Sequence, residues 1–201
     1  MNNYIFTFLV CLLTFTLTAQ PDSIQKDRQL GVSVNPSYAE YLSSIPIAVV
    51  ITYRINKHQL ELGPKFNYMD WHDSDQQFGT EFNYRYYPNG VHNRFNLFFL
   101  FNFDYRYING KYDYTLYTGY PPQVVTVNSK KDSHFFVFNG GYGFQANLFK
   151  GIYIGTYIGG GIYTERSHSI NSSIEPAFNS SYRSNYKEFS FLLAGSLGFR
   201  F

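Results

Sequence analysis

The sequence predicts an all-β chain that closes as an eight-stranded antiparallel up-and-down transmembrane β-barrel. Three observations lead there. Aromatic residues make up 21% of the chain, nearly all Phe and Tyr, while charged residues are only 15%, well under the roughly 25% usual for a soluble domain. Apolar and polar residues alternate with a period of two through eight separate segments, which gives a strand two unlike faces. The connections between those segments are short on one side and longer on the other, as in an outer-membrane barrel. The mean hydropathy of -0.27 does not count against this, because only every second residue of such a strand meets lipid. The net charge of +2 comes from scattered basic residues, which argues against nucleic acid as a partner.

Taken in order, the chain opens with a segment that reads as a secretory signal peptide, residues 1–19. Residues 4–17 are apolar with interspersed threonines, and Leu17-Thr18-Ala19 before Gln20 suits cleavage. The run is short for a membrane anchor, and no basic residue flanks it. The one cysteine, Cys11, lies inside this run. The mature domain, 20–201, is then expected to contain no disulfide and no thiolate site. No later stretch is apolar and long enough for a membrane helix.

The first strand is expected at 30–38, with Leu30, Val32, Val34, Pro36 and Tyr38 opposite Gly31, Ser33, Asn35 and Ser37. The second, 44–55, sets Ile45, Ile47, Val49, Ile51, Tyr53 and Ile55 against Ala48, Thr52 and Arg54. The third, 60–68, sets Leu60, Leu62, Phe66 and Tyr68 against Glu61, Gly63, Lys65 and Asn67. In the fourth, 78–86, Phe78, Phe82, Tyr84 and Tyr86 oppose Gly79, Glu81, Asn83 and Arg85. The fifth, 94–107, is the clearest: every odd position from Phe95 to Tyr107 is apolar or aromatic, and the even face carries Arg94, Asn96, Asn102, Asp104 and Arg106. The sixth, 136–148, puts Phe136, Phe138, Tyr142, Phe144 and Leu148 against Asn139, Gly141, Gly143, Gln145 and Asn147. The seventh, 151–165, is ambiguous in facing, with Ile152, Ile154, Ile158 and Ile162 assigned to one side and Tyr153, Tyr157 and Tyr163 to the other. The last, 188–201, separates Phe189, Phe191, Leu193, Leu197, Phe199 and Phe201 from Glu188, Ser190, Ser196 and Arg200.

Eight strands close as a meander. With the N-terminus periplasmic, the connections on its side are 56–58, 88–93 and 149–151, all short. The opposite side carries 39–43, 69–77 and two long loops, 108–131 and 166–185. A soluble β-sandwich or lipocalin-like barrel is the alternative, with the apolar faces as core and the polar faces in water. Two features favour the membrane form. The polar faces hold Gly, Ser, Asn and Ala with sparse charge, which suits a narrow interior. Tyr and Phe gather near strand ends, as at Tyr84, Tyr86, Tyr105, Tyr107 and Phe201, which suits aromatic girdles at lipid boundaries.

The ending Leu197-Gly198-Phe199-Arg200-Phe201 resembles the C-terminal signal of outer-membrane proteins, an aromatic last residue with apolar residues at alternate positions. The resemblance implies that the barrel-assembly machinery reads Phe199 and Phe201. It departs from the pattern at Ser196, where Gly is common. The mature chain as a whole resembles the small eight-stranded outer-membrane barrels typified by the OmpA membrane domain and OmpX. That likeness is architectural, and it implies a location in the outer membrane of a Gram-negative cell with lipid and lipopolysaccharide as neighbours.

The inward faces collect Arg54, Glu61, Lys65, Glu81, Arg85, Arg94, Asp104, Arg106, Glu188 and Arg200. An eight-stranded lumen is just filled by side chains, and buried charges there must pair. A salt-bridged plug is therefore expected, with a narrow pore for ions or small solutes as the alternative. Some eight-stranded barrels modify lipid A as hydrolases with a Ser, a His and a Glu. The only candidates here are Ser167-His168-Ser169 with Glu175, and Ile170 stands two positions after His168, where that motif wants its Ser. A non-enzymatic structural or loop-mediated binding or adhesion role is the expectation, with no cofactor. The residues 69–75, rich in Asp with His72 and Trp71, match no Ca²⁺ loop and read as a tip with an interfacial Trp, with a weak cation site or cation bridging to lipopolysaccharide as the alternative. Tyr, Ser and Asn in the two long loops are the vocabulary of adaptable binding surfaces, so an extracellular ligand is placed at 108–131 and 166–185.

Overall fold

The structure is a computed structural model describing residues 28–39, 45–69, 76–91, 93–118, 123–149, 151–173 and 179–201. The expected signal peptide at 1–19, most of the acidic segment 69–75, and Glu175 lie outside those residues. The strands are β1 (Arg28–Ala39), β2 (Ile45–Ile55), β3 (His58–Met69), β4 (Gln76–Tyr86), β5 (Phe95–Thr118), β6 (Gln123–Phe149), β7 (Ile152–Ser173) and β8 (Ser180–Arg200). Each pairs antiparallel with the next, and β1 pairs with β8, so the sheet closes into an up-and-down barrel. Closure leaves every strand of the ring hydrogen-bonded on both sides.

Turn chemistry explains the tight end. Asn56 joins β2 to β3 in the left-handed region, at φ 52°, a conformation that Asn tolerates through its short polar side chain. Gly90 and Gly151 take positive φ in the other two turns of that end, where a Cβ would be strained.

The alternation places apolar residues outside and polar residues inside. Ile51 is 66% exposed, Leu62 58%, Phe101 62% and Phe189 72%, while Glu61, Arg85 and Asn83 are 0% exposed. The soluble reading, in which the apolar face forms the core, is thereby overturned. The ambiguous strand takes the assigned facing: Tyr153, Tyr157 and Tyr163 point inward and are buried, while Ile154, Ile158 and Ile162 are exposed.

The interior is not only polar. Phe98, Leu100, Tyr87 and Tyr157 form an apolar cluster inside the ring. Rings of that size fit because glycines face them. A Cβ on Gly143 would come within 2.4 Å of the Phe98 ring, and one on Gly198 within 2.2 Å of the Tyr153 ring.

Strand length is where the structure departs from expectation. β1 to β4 have 12, 11, 12 and 11 residues, but β5 to β8 have 24, 27, 22 and 21. The two expected loops, 108–131 and 166–185, are mostly strand. Pairing of β5 with β6 runs unbroken to Thr118↔Gln123, and pairing of β7 with β8 to Asn171↔Ser180. The reason is local: Val124, Val125, Val127, Tyr112, Tyr114 and Tyr117 are strong strand formers, and they continue the two-sided alternation past the barrel. The result is a four-stranded sheet projecting from one side of the ring. β4 last pairs at Gln76↔Asn109 and β1 at Ala39↔Leu192. Beyond those points both outer edges of the projecting sheet lack a strand partner among the described residues.

Candidate functional site

Two places concentrate chemistry: the lumen and the projecting sheet. In the lumen, strand parity brings inward residues from several strands to one level. Lys65 Nζ lies 2.7 Å from Glu81 Oε2 and 2.6 Å from Asp104 Oδ2. Arg106 holds the same Asp104 through Nε, at 3.0 Å to Oδ2, and Nη2, at 2.5 Å. Arg85 Nη2 reaches Glu61 Oε2 at 3.0 Å, and its guanidinium lies over the rings of Phe98 and Tyr157 at 4.8 and 5.1 Å. Asn35 and Asn83 each donate to both Glu61 and Glu81, joining the two ion-pair groups. Such a network is favourable only when every member is satisfied, because a lone buried charge is very costly.

Of the ten residues assigned to this network from sequence, the structure brings six together as just described. Arg54 and Arg200 are also inside, buried at 7% and 9% exposure, but toward the tight-turn end. Arg200 Nη2 donates to Gln59 Oε1 at 3.0 Å and Gln145 Oε1 at 2.9 Å, with its guanidinium 4.2 Å from the centre of the Tyr153 ring. Neither arginine has a carboxylate partner among the described residues. Arg94 and Glu188 are not lumen residues. Arg94 precedes β5, is exposed, and stacks its guanidinium over Phe95 at 5.8 Å. Glu188 keeps the inward phase of β8 but sits where that strand has risen past its β1 partner. It is exposed, accepting from Tyr163 at 3.1 Å and from Tyr186.

Sequence reasoning missed two polar features of the lumen. Asn83, Asn102 and Asn139 are cross-strand neighbours on β4, β5 and β6, and each amide passes a hydrogen bond to the next, at 2.8 and 3.0 Å. Gln59, Gln145 and Tyr87 form a second belt, with Tyr87 donating to Gln145 at 2.8 Å. Inward parity was the available signal for the asparagines and glutamines. None existed for Tyr87, which follows the end of β4. Arg85, Tyr87, Gln59, Gln145 and Glu61 are all 0% exposed.

The projecting sheet has two unlike faces. On the side continuous with the lumen stand Tyr112, Tyr114, Tyr182 and Tyr186, 38% to 56% exposed, among Ser167, Ser169 and Ser184. Outward stand Lys111, Lys130, Arg166 and Arg183. Asp132, on the outward face, accepts from Tyr107 at 2.9 Å and Asn109 at 2.5 Å and lies 3.6 Å from Lys130. Partial burial works against its ionisation, but those donors outweigh it and hold its carboxyl below the ordinary range.

The hydrolase candidates are dispersed. Ser167 and Ser169 face inward and His168 outward, as neighbours in a strand must. His168 Nε2 lies 3.0 Å from Ser181 Oγ, but no described carboxylate bonds the imidazole. Asp132, its cross-strand neighbour, is occupied by Tyr107, Asn109 and Lys130. Among the described residues no group of three His, Cys, Asp or Glu side chains is arranged to hold a metal.

No protein-family model matches the chain. No curated protein matches it either. Among solved structures it is similar to a major outer membrane protein from Thermus thermophilus, at 10% identity and TM-score 0.44 over 87% of this chain and 99% of that one. It is also similar to Neisserial surface protein A, at 8% identity and TM-score 0.43 over 88% of this chain and 98% of that one. A third is the outer membrane protease OmpT from Escherichia coli, at 12% identity and TM-score 0.29 over 90% of this chain and 99% of that one.

Proposed function

We propose that this chain is an integral outer-membrane barrel with a plugged lumen and a non-enzymatic role carried by its projecting sheet. The observation that carries this is the inversion of faces: a closed ring with large apolar side chains exposed all round and ion pairs fully buried within. In water that exterior would be a very large apolar patch. In a bilayer it is the required surface, and closure satisfies every backbone group that lipid cannot. Phe199 and Phe201 point outward at the end of β8, with Phe201 N donating to Leu30 O at 3.0 Å. This supports the view that the barrel-assembly machinery engages this edge before β1 closes on it.

The zero exposure of Arg85, Tyr87, Gln59, Gln145 and Glu61 supports the plug. The role then falls to the sheet projecting past the ring, whose lumen-side face offers exposed tyrosines among serines, groups that combine apolar area with hydrogen bonding. An extracellular ligand at 108–131 and 166–185 fits this surface. A narrow pore has one observation in its favour: Arg54 and Arg200 add positive charge at one mouth without a described carboxylate. Conductance of the refolded protein in a planar bilayer decides between them. Silence from protein shown to be folded is expected, and stable discrete steps would replace the plug with the pore.

A further inference from the structure

We infer that the outward face of the projecting sheet seats the anionic phosphate headgroup of a bilayer lipid, with its acyl chains against the apolar belt below. The inference rests on the membrane reading above. Register fixes the layout. Phe138, Ile162 and Phe189 are cross-strand neighbours in one outward row, 55%, 61% and 72% exposed. Lys187 pairs with Thr164 one row higher, Arg166 with Asn185 on the next, and Arg183 with His168 on the one after. Lys111 and Lys130 face each other directly on the row above that. Rows on one face are about 7 Å apart along a strand, so the cations begin one row above Phe189, with Lys187 in the row that also holds the outward aromatics Tyr105 and Phe136.

These charges are almost entirely unpaired within the fold. Lys111, Arg166, Arg183 and Lys187 make no ion pair among the described residues, and Lys130 reaches only Asp132, at 3.6 Å. Directly opposed like charges such as Lys111 and Lys130 destabilise a sheet pair, and an anion between them reverses the sign. The excess belongs to this face alone, since Lys131 on the opposite face is paired with Glu165 at 2.9 Å. A cationic surface resting on an apolar one, with no break between them, is complementary to a phosphorylated amphiphile. A soluble polyanion would use only the upper half of it.

The test is native mass spectrometry of the whole protein, released from zwitterionic micelles and titrated with bisphosphorylated lipid A or with the same lipid dephosphorylated. Retention of the phosphorylated lipid is expected, weakening about fivefold for each of Arg166→Gln, Arg183→Gln and Lys187→Gln, less for Lys111→Gln and Lys130→Gln four rows above the belt, and restored by Arg183→Lys. Heat-dependent gel mobility of the protein refolded in phosphatidylcholine vesicles reports separately on the barrel. Equal retention of both lipids by folded protein would overturn the headgroup seat and leave the barrel reading intact. Tighter binding of soluble dextran sulfate than of lipid A, lost in the same variants, would overturn it in favour of a glycan surface. Failure to insert into any vesicle would remove the membrane reading and the seat with it.

Discussion

Glu61 shows how much one lumen side chain carries. It accepts from Asn35, Gln59, Asn83 and Arg85 at 3.2, 2.6, 3.0 and 3.0 Å with no exposure to solvent. Glu61→Leu strands the Arg85 guanidinium, and a loss of about 3–5 kcal/mol is expected. Urea unfolding in vesicles measures it. The double variant Glu61→Leu with Arg85→Met should lose clearly less than the sum of the two singles, because a buried pair removed together leaves no orphan charge. Asp132 predicts a pH effect outside the barrel. Its carboxyl titrates below the ordinary value, so its stabilising bonds are fully present above the usual carboxylate pKa of about 4. They are lost as pH falls through the depressed value. Amide protection at 107–109 and 131–133, measured relative to the intrinsic exchange rate at each pH, should be unchanged from neutral pH down to that range and fall below it. Protection lost well above it would show that Asp132 is not what holds that row.

At the scale of the element, β5 to β8 are each built of two parts. The lower half of each strand is held in the closed ring, while the upper half belongs to a sheet with two open edges. Edge strands of that kind are ordinarily blunted by charge, as Lys111, Asp113, Arg183 and Lys187 do here. Hydrogen exchange should therefore divide these strands in two. Amides of 180–187 exchange fast, those of 192–199 at the slow rate of the ring. Uniform protection along β8 would mean that something covers the edge. Within the ring each strand and its facing were legible, because one face of every segment had to be apolar. The upper halves of β7 and β8 were not read as strand because Ser and Asn recur on both faces and carry no hydrophobic signal, unlike the valines and tyrosines that continue the alternation in β5 and β6. What makes them strand is their pairing with the neighbour across the sheet.

For the whole molecule, the decisive property is which way round the barrel is. Leu62→Arg puts a charge on the outward face of β3, where the side chain is 58% exposed. In a bilayer this should cost about 2–4 kcal/mol if the position lies near the midplane. For a water-soluble barrel the same change is close to neutral. Urea titration in vesicles and heat-dependent mobility read the difference.

The alternation by itself determined the number of strands, their order, their up-and-down closure and the inward or outward facing of almost every residue, because a strand has only two faces and lipid tolerates only one kind. It also named most of the buried charges. Which of those charges meet was beyond it. Lys65 with Asp104, or Asn35 with Glu81, are partners 39 and 46 residues apart in the chain, and only the closure of the ring and the register around it bring them within bonding distance. The same holds for Arg94 and Glu188, whose parity is inward but whose height along the axis, set by neighbouring strand lengths, leaves them in the open.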